Sequence, residues 1–535
     1  MTVADAVVIG AGPNGLLAAN LLADRGWDVV VLEGEPEPGG AVRSAELTSQ
    51  PGFVHDVFSA FYPFTVASPA FRALDLEAHG LRWCHADFAV AHPASDGTCA
   101  VLSPRLETTM ASLEGFAAGD GDAWRRLFAL WERVGEHLIE AMVTPMPPVR
   151  PGVRIAGALR SDLIRFARFL ALPLRRMTDE EFRGAGGRRL LAGNASHADL
   201  APEVPPSGAF AWVLTCLGQQ HGFPTPEGGA GALTEALVRR LRARGGALRC
   251  AARASRIEVR DGAAAAVVVD GGERIEATRA VLADVLAPAL YRDLVGDEHL
   301  PRGLVEDLRR FHIDWSTVKV DWALDGPIPW AAEPARRAAV VHVLDDVDEL
   351  TLGAAQIAMG LVPATPSLVM GQYAPVDSTR SPPGTDTAWA YTHVPRAVRG
   401  DAGPEGITGD WEGRDGDAIA DRVERRIEAL APGFRERIRA RHVLTPAAAE
   451  RMNPNLAFGS MHGGTTQLHQ QAIFRPTPGL GRPETPIARL YLASSSAHPG
   501  GGVHGGPGAI AARAALAGDV RRRVSSATGR RLRRA

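Results

Sequence analysis

The chain has 535 residues, 45% of them hydrophobic and 22% charged, and a formal net charge of −3. At about 150 residues per domain this length predicts two or three structural units, and the near-neutral charge gives no electrostatic case for nucleic acid. Four scattered cysteines without a C-x-x-C spacing exclude a disulfide framework, a cysteine zinc site and a dithiol redox pair; no metal is expected, and a reducing cytoplasm is the expected setting.

The N-terminus passes almost at once into an apolar run with neither a basic leader nor a small-residue cleavage site, which predicts no cleavable signal. No apolar stretch approaches the roughly 20 residues that a spanning helix needs. Residues 4–33 read as strand, tight turn, helix and second buried strand, the opening of a parallel sheet. Between the first strand and the helix, Gly10-Ala11-Gly12-Pro13-Asn14-Gly15 matches G-x-G-x-x-G in the context a dinucleotide fingerprint requires. Gly10 permits the sharp turn, Gly12 lets the backbone approach a pyrophosphate, and Gly15 allows close helix-to-strand packing. The helix that Pro13 and Asn14 open offers free N–H groups and a partial positive charge to the phosphates.

Glu33 ends the second strand, where its carboxylate can accept hydrogen bonds from an adenosine ribose and would repel a 2′-phosphate. These features fit FAD and NAD alike. The segment Pro38-Gly39-Gly40-Ala41-Val42-Arg43 adds a second glycine pair and a basic residue, able to bring backbone and a guanidinium to the far side of the pyrophosphate. A plain NAD fold has no need of it. His55-Asp56, further on, fits either a wall of the cofactor site or a turn.

Residues 66–224 are mixed and proline-interrupted, with helices predicted near 120–142 and 158–172 and breaks at MPPVRPG and APEVPPSG. Within 160–176, five arginines face a single acid, while Leu163, Ile164, Phe166, Phe169 and Leu170 cover most of a helix surface beside Arg165 and Arg168. Such a helix suits a membrane interface or packing inside an inserted domain. From Pro226 a glycine-rich turn, a helix with Leu233, Leu237, Val238 and Leu241 on one face, and a strand follow in order. Further short strands break at Asp-Gly and Gly-Gly, which are hairpin signals. Residues 301–480 are irregular apart from the strand-like TVKVDWAL, which carries Lys319, the only lysine of the chain.

The last ordered unit, within 489–519, is a short strand, a very glycine-rich turn and an alanine-rich helix, followed by an arginine-rich tail that reads as frayed and solvated. Its glycines 500, 502 and 505 match G-x-G-x-x-G by spacing, but no following strand supplies the acid of a second nucleotide site. Dinucleotide-type elements thus return twice, and their order favours FAD over NAD. The predicted division is FAD-binding segments at 1–65, 225–300 and 481–520, substrate-domain segments at 66–224 and 301–480, and a basic tail at 521–535.

VVIGAGPNGLLAANLLADRGWDVVVLE with PGGAVRS, PEGGAGALTEALVRRLRARGG, and LYLASSSAHPGGGVHGGPG together resemble the opening, middle and closing motifs of the phytoene desaturase family of FAD-dependent oxidoreductases, and the likeness runs from end to end. The resemblance implies an α/β fold: a split Rossmann-like FAD-binding domain of the glutathione-reductase and amine-oxidase type with an inserted α+β substrate domain. It also implies that Ala254 contacts the adenine side through its backbone, and that Gly501, Gly502 and Val503 lie by the ribityl and isoalloxazine. Lys319 matches a lysine that relatives carry on a substrate-domain strand near the flavin; desolvated there it could hold a water or a proton, and the other reading is a lone surface lysine. His498 and His504 bracket the closing turn as proton handlers or as hydrogen-bonded structural residues.

The leading expectation is an FAD-dependent dehydrogenase or desaturase that removes a hydride from a largely apolar small molecule and is reoxidised by oxygen or a quinone-like acceptor. The alternatives are a flavin-dependent amine oxidase, a redox-neutral double-bond isomerase or saturase, and a non-catalytic flavoprotein scaffold. The expected location is the cytoplasm, with peripheral membrane contact through the arginine-flanked helix as an open option.

Overall fold

The computed structural model describes the backbone of residues 2–532 and the side chains of residues 2–525. Strand β1 (Thr2–Ile9) turns through the glycines into helix α1 (Pro13–Ala23), and β2 (Val29–Leu32) returns parallel to β1. Val7, Val8, Val29 and Val31 are fully buried, as a parallel strand covered on both faces demands. Next come β3 (Phe88–Pro93), β4 (Cys99–Leu102) and the helices α2 (Asp120–Met142), α3 (Val149–Leu159), α4 (Leu163–Leu170), α5 (Ala185–Ala195) and α6 (Ser207–His221). Helix α7 (Ala230–Ala243) leads to β5 (Ala247–Arg249), β6 (Ala254–Arg260), β7 (Ala263–Val269) and β8 (Arg274–Ala283). Strands β9 (Ser316–Leu324), β10 (Ala338–Val343), β11 (Leu368–Gln372), β12 (Asp386–Val394) and β13 (Ile438–Leu444) follow, and β14 (Leu490–Leu492) and α8 (Gly506–Leu532) close the chain.

Two seven-stranded sheets organise these elements. The first runs β6-β7-β8-β1-β2-β5, with β14 beside β8. Its strands come from three separated stretches of the chain. β5, β2, β1, β8 and β14 are parallel, and β6-β7-β8 form an antiparallel meander whose first link is the two-residue Asp261-Gly262 loop, the hairpin that Asp-Gly predicts. Leu233, Leu237, Val238 and Leu241 of α7 pack with α1 and with the sheet, the face expected from their spacing.

The second sheet runs β13-β9-β12-β11-β10-β3-β4. Strand alternation sorts β9 into two sets: Val320, Trp322 and Leu324 enter a core with Phe434, Val423 and Ile427, whereas Thr317, Lys319 and Asp321 share the opposite face. On that face a row crosses the sheet, Lys319 paired with Tyr391, Tyr391 with Val369, and Val369 with His342.

Two local readings change. The helix expected over 158–172 is broken at Arg160, whose φ of +50° separates α3 from α4. In α4, Phe166 and Phe169 pack edge-on against Trp212 while Ile164 is 84% exposed, so the helix is both an inserted packing element and a partly bare one. The arginine-rich tail extends α8 as helix to Leu532 instead of fraying at 521, and residues 533–535 lie outside the described residues.

Candidate active site

The glycine turn is built against Asp284, the residue that follows β8. A Cβ on Gly15 would stand 2.1 Å from the Gly10 carbonyl oxygen, so any larger residue there would pry the helix from the turn. A Cβ on Gly12 would meet the Asp284 carboxylate at 2.7 Å, a constraint beyond approach to a phosphate. Asp284 Oδ2 accepts the Gly15 N–H at 2.9 Å, and burial, helped by the nearby Glu33 charge, pushes its carboxyl up to about 7. The second glycine pair docks on this turn, with Gly39 N–H donating to the Ala11 carbonyl at 2.9 Å and Gly40 facing Gly12.

Glu33 accepts the Ala11 N–H at 2.8 Å and the Glu35 N–H at 2.9 Å, one on each carboxylate oxygen, which fixes the carboxylate while leaving lone pairs for a ribose. Arg43 Nε is buried with no partner among the described residues, and in the first turn of α1 the Gly15 N–H is taken by Asp284 while the N-cap, Gly12, has no side chain to take the Asn14 N–H. An orphaned guanidinium N–H and a helix N-terminus whose N-cap is a glycine, facing one cavity, are what an anionic pyrophosphate would satisfy.

That cavity has a volume of about 880 Å³. Gly10, Gly12, Pro13, Asn14 and Glu33 line one end, and Gly40, Ala41, Arg43 and Ala254 stand beside them; Gly15 and Gly39 shape it from behind. Gly501, Gly502 and Val503 line it further along. Thr65 and Ser68 hydroxyls donate to the carbonyls of Val503 and His504 and anchor this closing turn. Arg475, wholly buried, donates to the carbonyls of Ser495, Thr465 and His462 at 2.7–2.9 Å, stitching residues 460–475 to the same turn.

Beyond the closing turn the wall is the second sheet, where Lys319, Trp389 and Tyr391 line the cavity. Lys319 is no surface lysine, being 4% exposed. Its ammonium donates to the Asp56 carbonyl at 2.9 Å and to the Asp321 carboxylate, and it lies 5.7 Å from the Trp389 ring centroid. Burial raises the Asp321 carboxyl to about 6 despite that ammonium. Asp56 is a buried hub: its carboxylate takes the Ser44 hydroxyl at 2.9 Å, the Ala230 N–H at the start of α7 at 2.7 Å, the Tyr373 hydroxyl, and the Arg380 guanidinium at 2.9 Å. His55, lowered to about 3 mainly by burial, is neutral beside it.

The two histidines of the closing turn separate. His498 lines the cavity, with Nε2 3.5 Å from the Ala141 carbonyl. His504 does not line it: Nε2 meets the Gly501 carbonyl at 3.0 Å, and Nδ1 accepts the Gly506 N–H at 3.0 Å. Both nitrogens being spent on the turn, with burial lowering the ring to about 4, the geometry makes His504 a brace of the turn and corrects the proton-handling reading.

Sequence reasoning missed Asp284, Arg380, Arg475, Asp321 and the Asp314–His462 pair. His462 lines the cavity and presses on Gly501; Asp314 accepts its Nδ1–H at 3.1 Å and, against the cost of burial, keeps its pKa raised. Asp284 alone carried a usable signal, an acid closing the apolar strand AVLAD.

Comparison with known proteins agrees with this architecture. Residues 8–75 match the NAD(P)-binding Rossmann-like domain family. Over 95% of its length the chain is 28% identical to pyridine nucleotide-disulfide oxidoreductase domain-containing protein 2 of Mus musculus, covering 92% of that protein. It is 26% identical to a lycopene-forming phytoene desaturase of Pseudescherichia vulneris, covering 96% of this chain and 98% of the desaturase. Among solved structures, a cofactor-site variant of putrescine oxidase superposes with a TM-score of 0.60 at 15% identity, over 97% of this chain and 99% of the other, which is a likeness of fold. The resemblance to the phytoene desaturases that the motifs carry therefore holds over whole chains, and the fold is the split Rossmann-like one expected. The disulfide chemistry in the mouse protein's name has no counterpart in this chain's motifs, whose four cysteines are all free.

Proposed function

We propose that this protein is an FAD-dependent oxidoreductase that removes a hydride from a largely apolar small molecule. The observation that carries the reading is the continuity of one cavity, from the Gly10–Gly15 turn, Glu33 and Arg43, past Gly501–Val503, to the Lys319 wall. The first two groups fit a dinucleotide, with a ribose acceptor, phosphate donors and two converging helix N-termini, since α8 crosses α1 where Gly508 meets Asn14. FAD, when bound, supplies the hydride acceptor.

The chain's own residues do the rest. The Gly501–Val503 backbone presents N–H groups to an electron-rich edge. Lys319, with two of its three N–H donors committed to Asp56 and Asp321, keeps one to hold a water or move a proton in the cavity. Phe61, Trp389 and Tyr391 exclude bulk water and give an apolar substrate its contact surface. Among the described residues no carboxylate lines the cavity beside Trp389 and Tyr391, so an ammonium substrate would find no counter-ion there, which favours a neutral apolar substrate over an amine.

Oxygen or a quinone-like molecule is the proposed electron acceptor. Peripheral membrane contact is the proposed route for a lipid-soluble substrate: Val149, Val153 and Ile164 are 63%, 66% and 84% exposed beside Arg150, Arg154 and Arg165, while no described helix is long and apolar enough to cross a membrane. The test is cofactor release and anaerobic reduction. Heat-released cofactor should be FAD, and its bound form should bleach with an apolar substrate; release of NAD or FMN, or bleaching by amines alone, would overturn the reading.

A further inference from the structure

Leu200, Phe210, Val213, Leu214 and Phe223 also line the cavity, and His197, its ring centroid 6.3 Å from that of Phe223, lines it with them. His197 Nε2 lies 2.9 Å from His342 Nε2, and its ring stands edge-on to Tyr391 with centroids 6.2 Å apart. His342 is fully buried on β10 in the same cross-sheet row as Tyr391 and Lys319. Its ring lies 4.8 Å from that of His92, yet no group of three or more such side chains among the described residues is arranged to hold a metal ion.

The tautomers follow from the surroundings. His342 Nδ1 has no hydrogen-bond partner, and the Gly193 Cα–H is packed against it, since a Cβ built on Gly193 would lie 2.3 Å away. A proton on Nδ1 would be an orphaned buried donor pressed against that C–H, whereas a bare lone pair accepts a weak C–H contact. The proton of neutral His342 therefore sits on Nε2 and is donated to His197 Nε2. The proton of neutral His197 is thereby placed on Nδ1, which has no partner among the described residues. The Tyr391 hydroxyl, also at the cavity, likewise has none. Two neutral donors thus stand without acceptors on a wall shared with Leu200, Val213 and Phe223, and among the described residues no arginine or carboxylate lines the cavity beside them.

We propose that His197 and Tyr391 form an anchor for a neutral oxygen atom, so that the substrate is a lipophilic molecule bearing a carbonyl or hydroxyl group rather than a pure hydrocarbon. The inference rests on the oxidoreductase reading and deepens it: His197 sets specificity, and His342 is a positioning residue that fixes which His197 nitrogen carries the proton. A charged carboxylate is disfavoured because the cation on this wall, Lys319, is already paired with Asp321. A site built to hydrogen-bond an oxygen discriminates against the analogue that lacks it, because the donors are then left unpaired.

The experiment uses the FAD-loaded full-length protein with two probes, a long-chain methyl ketone labelled with carbon-13 at the carbonyl and the alkane of equal length. Affinities are read from tryptophan fluorescence and the carbonyl stretch from isotope-edited infrared spectra. Wild type should bind the ketone about tenfold more tightly than the alkane, the worth of one neutral hydrogen bond, with the carbonyl band shifted to lower frequency. H197F should reduce the preference and the shift, H197F combined with Y391F should remove both, H197Q should restore part of the shift, and H342F should weaken the shift while leaving alkane affinity unchanged. Equal affinities of the wild-type protein for the two probes, or no binding of either, would overturn the anchor without any variant having to fold; so would a carbonyl shift undiminished in H197F. Failure of the oxidoreductase reading would show separately, as a flavin that no substrate reduces while the ketone still binds.

Discussion

Lys319 Nζ donates a 2.9 Å hydrogen bond to the backbone carbonyl of Asp56, a residue 263 positions away. The bond joins the cavity face of the second sheet to the segment that runs on from Arg43. Asp56 in turn holds Ser44, the start of α7 and Arg380, so the only ammonium side chain in the protein is positioned by the cofactor-side scaffold.

Replacing this lysine should therefore affect rate before binding. Lys319→Met is expected to retain FAD and lose on the order of a hundredfold or more in turnover, the usual worth of a positioned proton-handling group. Lys319→Arg should not restore it, because a planar fork cannot reproduce the two bonds of the ammonium. Stopped-flow reduction of the bound flavin checks this, and an unchanged rate in Lys319→Met would remove Lys319 from the chemistry. The same variant strips Asp321 of its cation, which for a buried pair costs about 3–5 kcal/mol; the raised carboxyl, near 6, lets Asp321 take up a proton and soften the loss as pH falls.

Arg43 and Gly15 test the cofactor end. Arg43→Met should weaken FAD about 10- to 100-fold, the range for one hydrogen bond to a charged group, with the melting temperature of the FAD-free protein nearly unchanged. Gly15→Ala should abolish FAD binding and also destabilise the fold, because its Cβ would be forced to within 2.1 Å of the Gly10 carbonyl oxygen. Equilibrium dialysis against FAD separates the two effects.

Asp284 predicts a pH dependence of cofactor affinity. Its carboxyl, raised to about 7 by burial, is neutral below that pH and anionic above it, directly behind the turn that faces the pyrophosphate. FAD affinity should fall as pH rises through about 7, and Asp284→Asn should flatten the profile while keeping a group at Gly15 N–H. A wild-type affinity that is constant from pH 6 to pH 8.5 would refute this.

The buried histidines set acid stability. His55, His92 and His197 are lowered to about 3, and His498 and His504 to about 4, each chiefly by burial. Folded, they stay neutral where unfolded ones would take up protons below 6.5, so their contribution is present above 6.5 and is lost on acidification. Asp284 and Asp386, raised to about 7, and Asp321, near 6, act with the opposite sign, favouring the folded state as pH falls from 7 to 4. Five histidines against three carboxyls leave the unfolded state with the excess of protons near pH 5. The melting temperature should therefore drop between pH 7 and pH 5 by an amount corresponding to about 1.4 kcal/mol per pH unit for each net proton. Thermal melts across that range check the sign.

The cofactor end was the legible part of the sequence because its chemistry is local. A strand, a glycine turn and a helix within about 30 residues announce themselves by spacing, and Glu33, Gly40 and Arg43 fall where that spacing puts them. The substrate wall was not legible, because it is made by cross-sheet neighbours: Lys319, Tyr391, Val369 and His342 meet through strand register, which no short window contains. The same limit hid Arg380 and Arg475, whose partners are distant carboxylates and backbone carbonyls. His504 misled because a histidine beside a glycine turn reads alike whether its nitrogens face the cavity or, as here, the turn itself.

The central claim, a substrate oxidised in the cavity between Gly501–Val503 and Lys319, is tested most directly by an anaerobic single turnover followed by mass analysis of the product. Mixing the FAD-loaded protein with an oxygen-bearing apolar substrate should bleach the flavin and yield a product two hydrogens lighter, with the bleaching slowed in Lys319→Met. A product of unchanged mass with the flavin left oxidised would mean redox-neutral chemistry, and a flavin that dithionite reduces but no substrate ever does would mean a scaffold; either result would contradict the account.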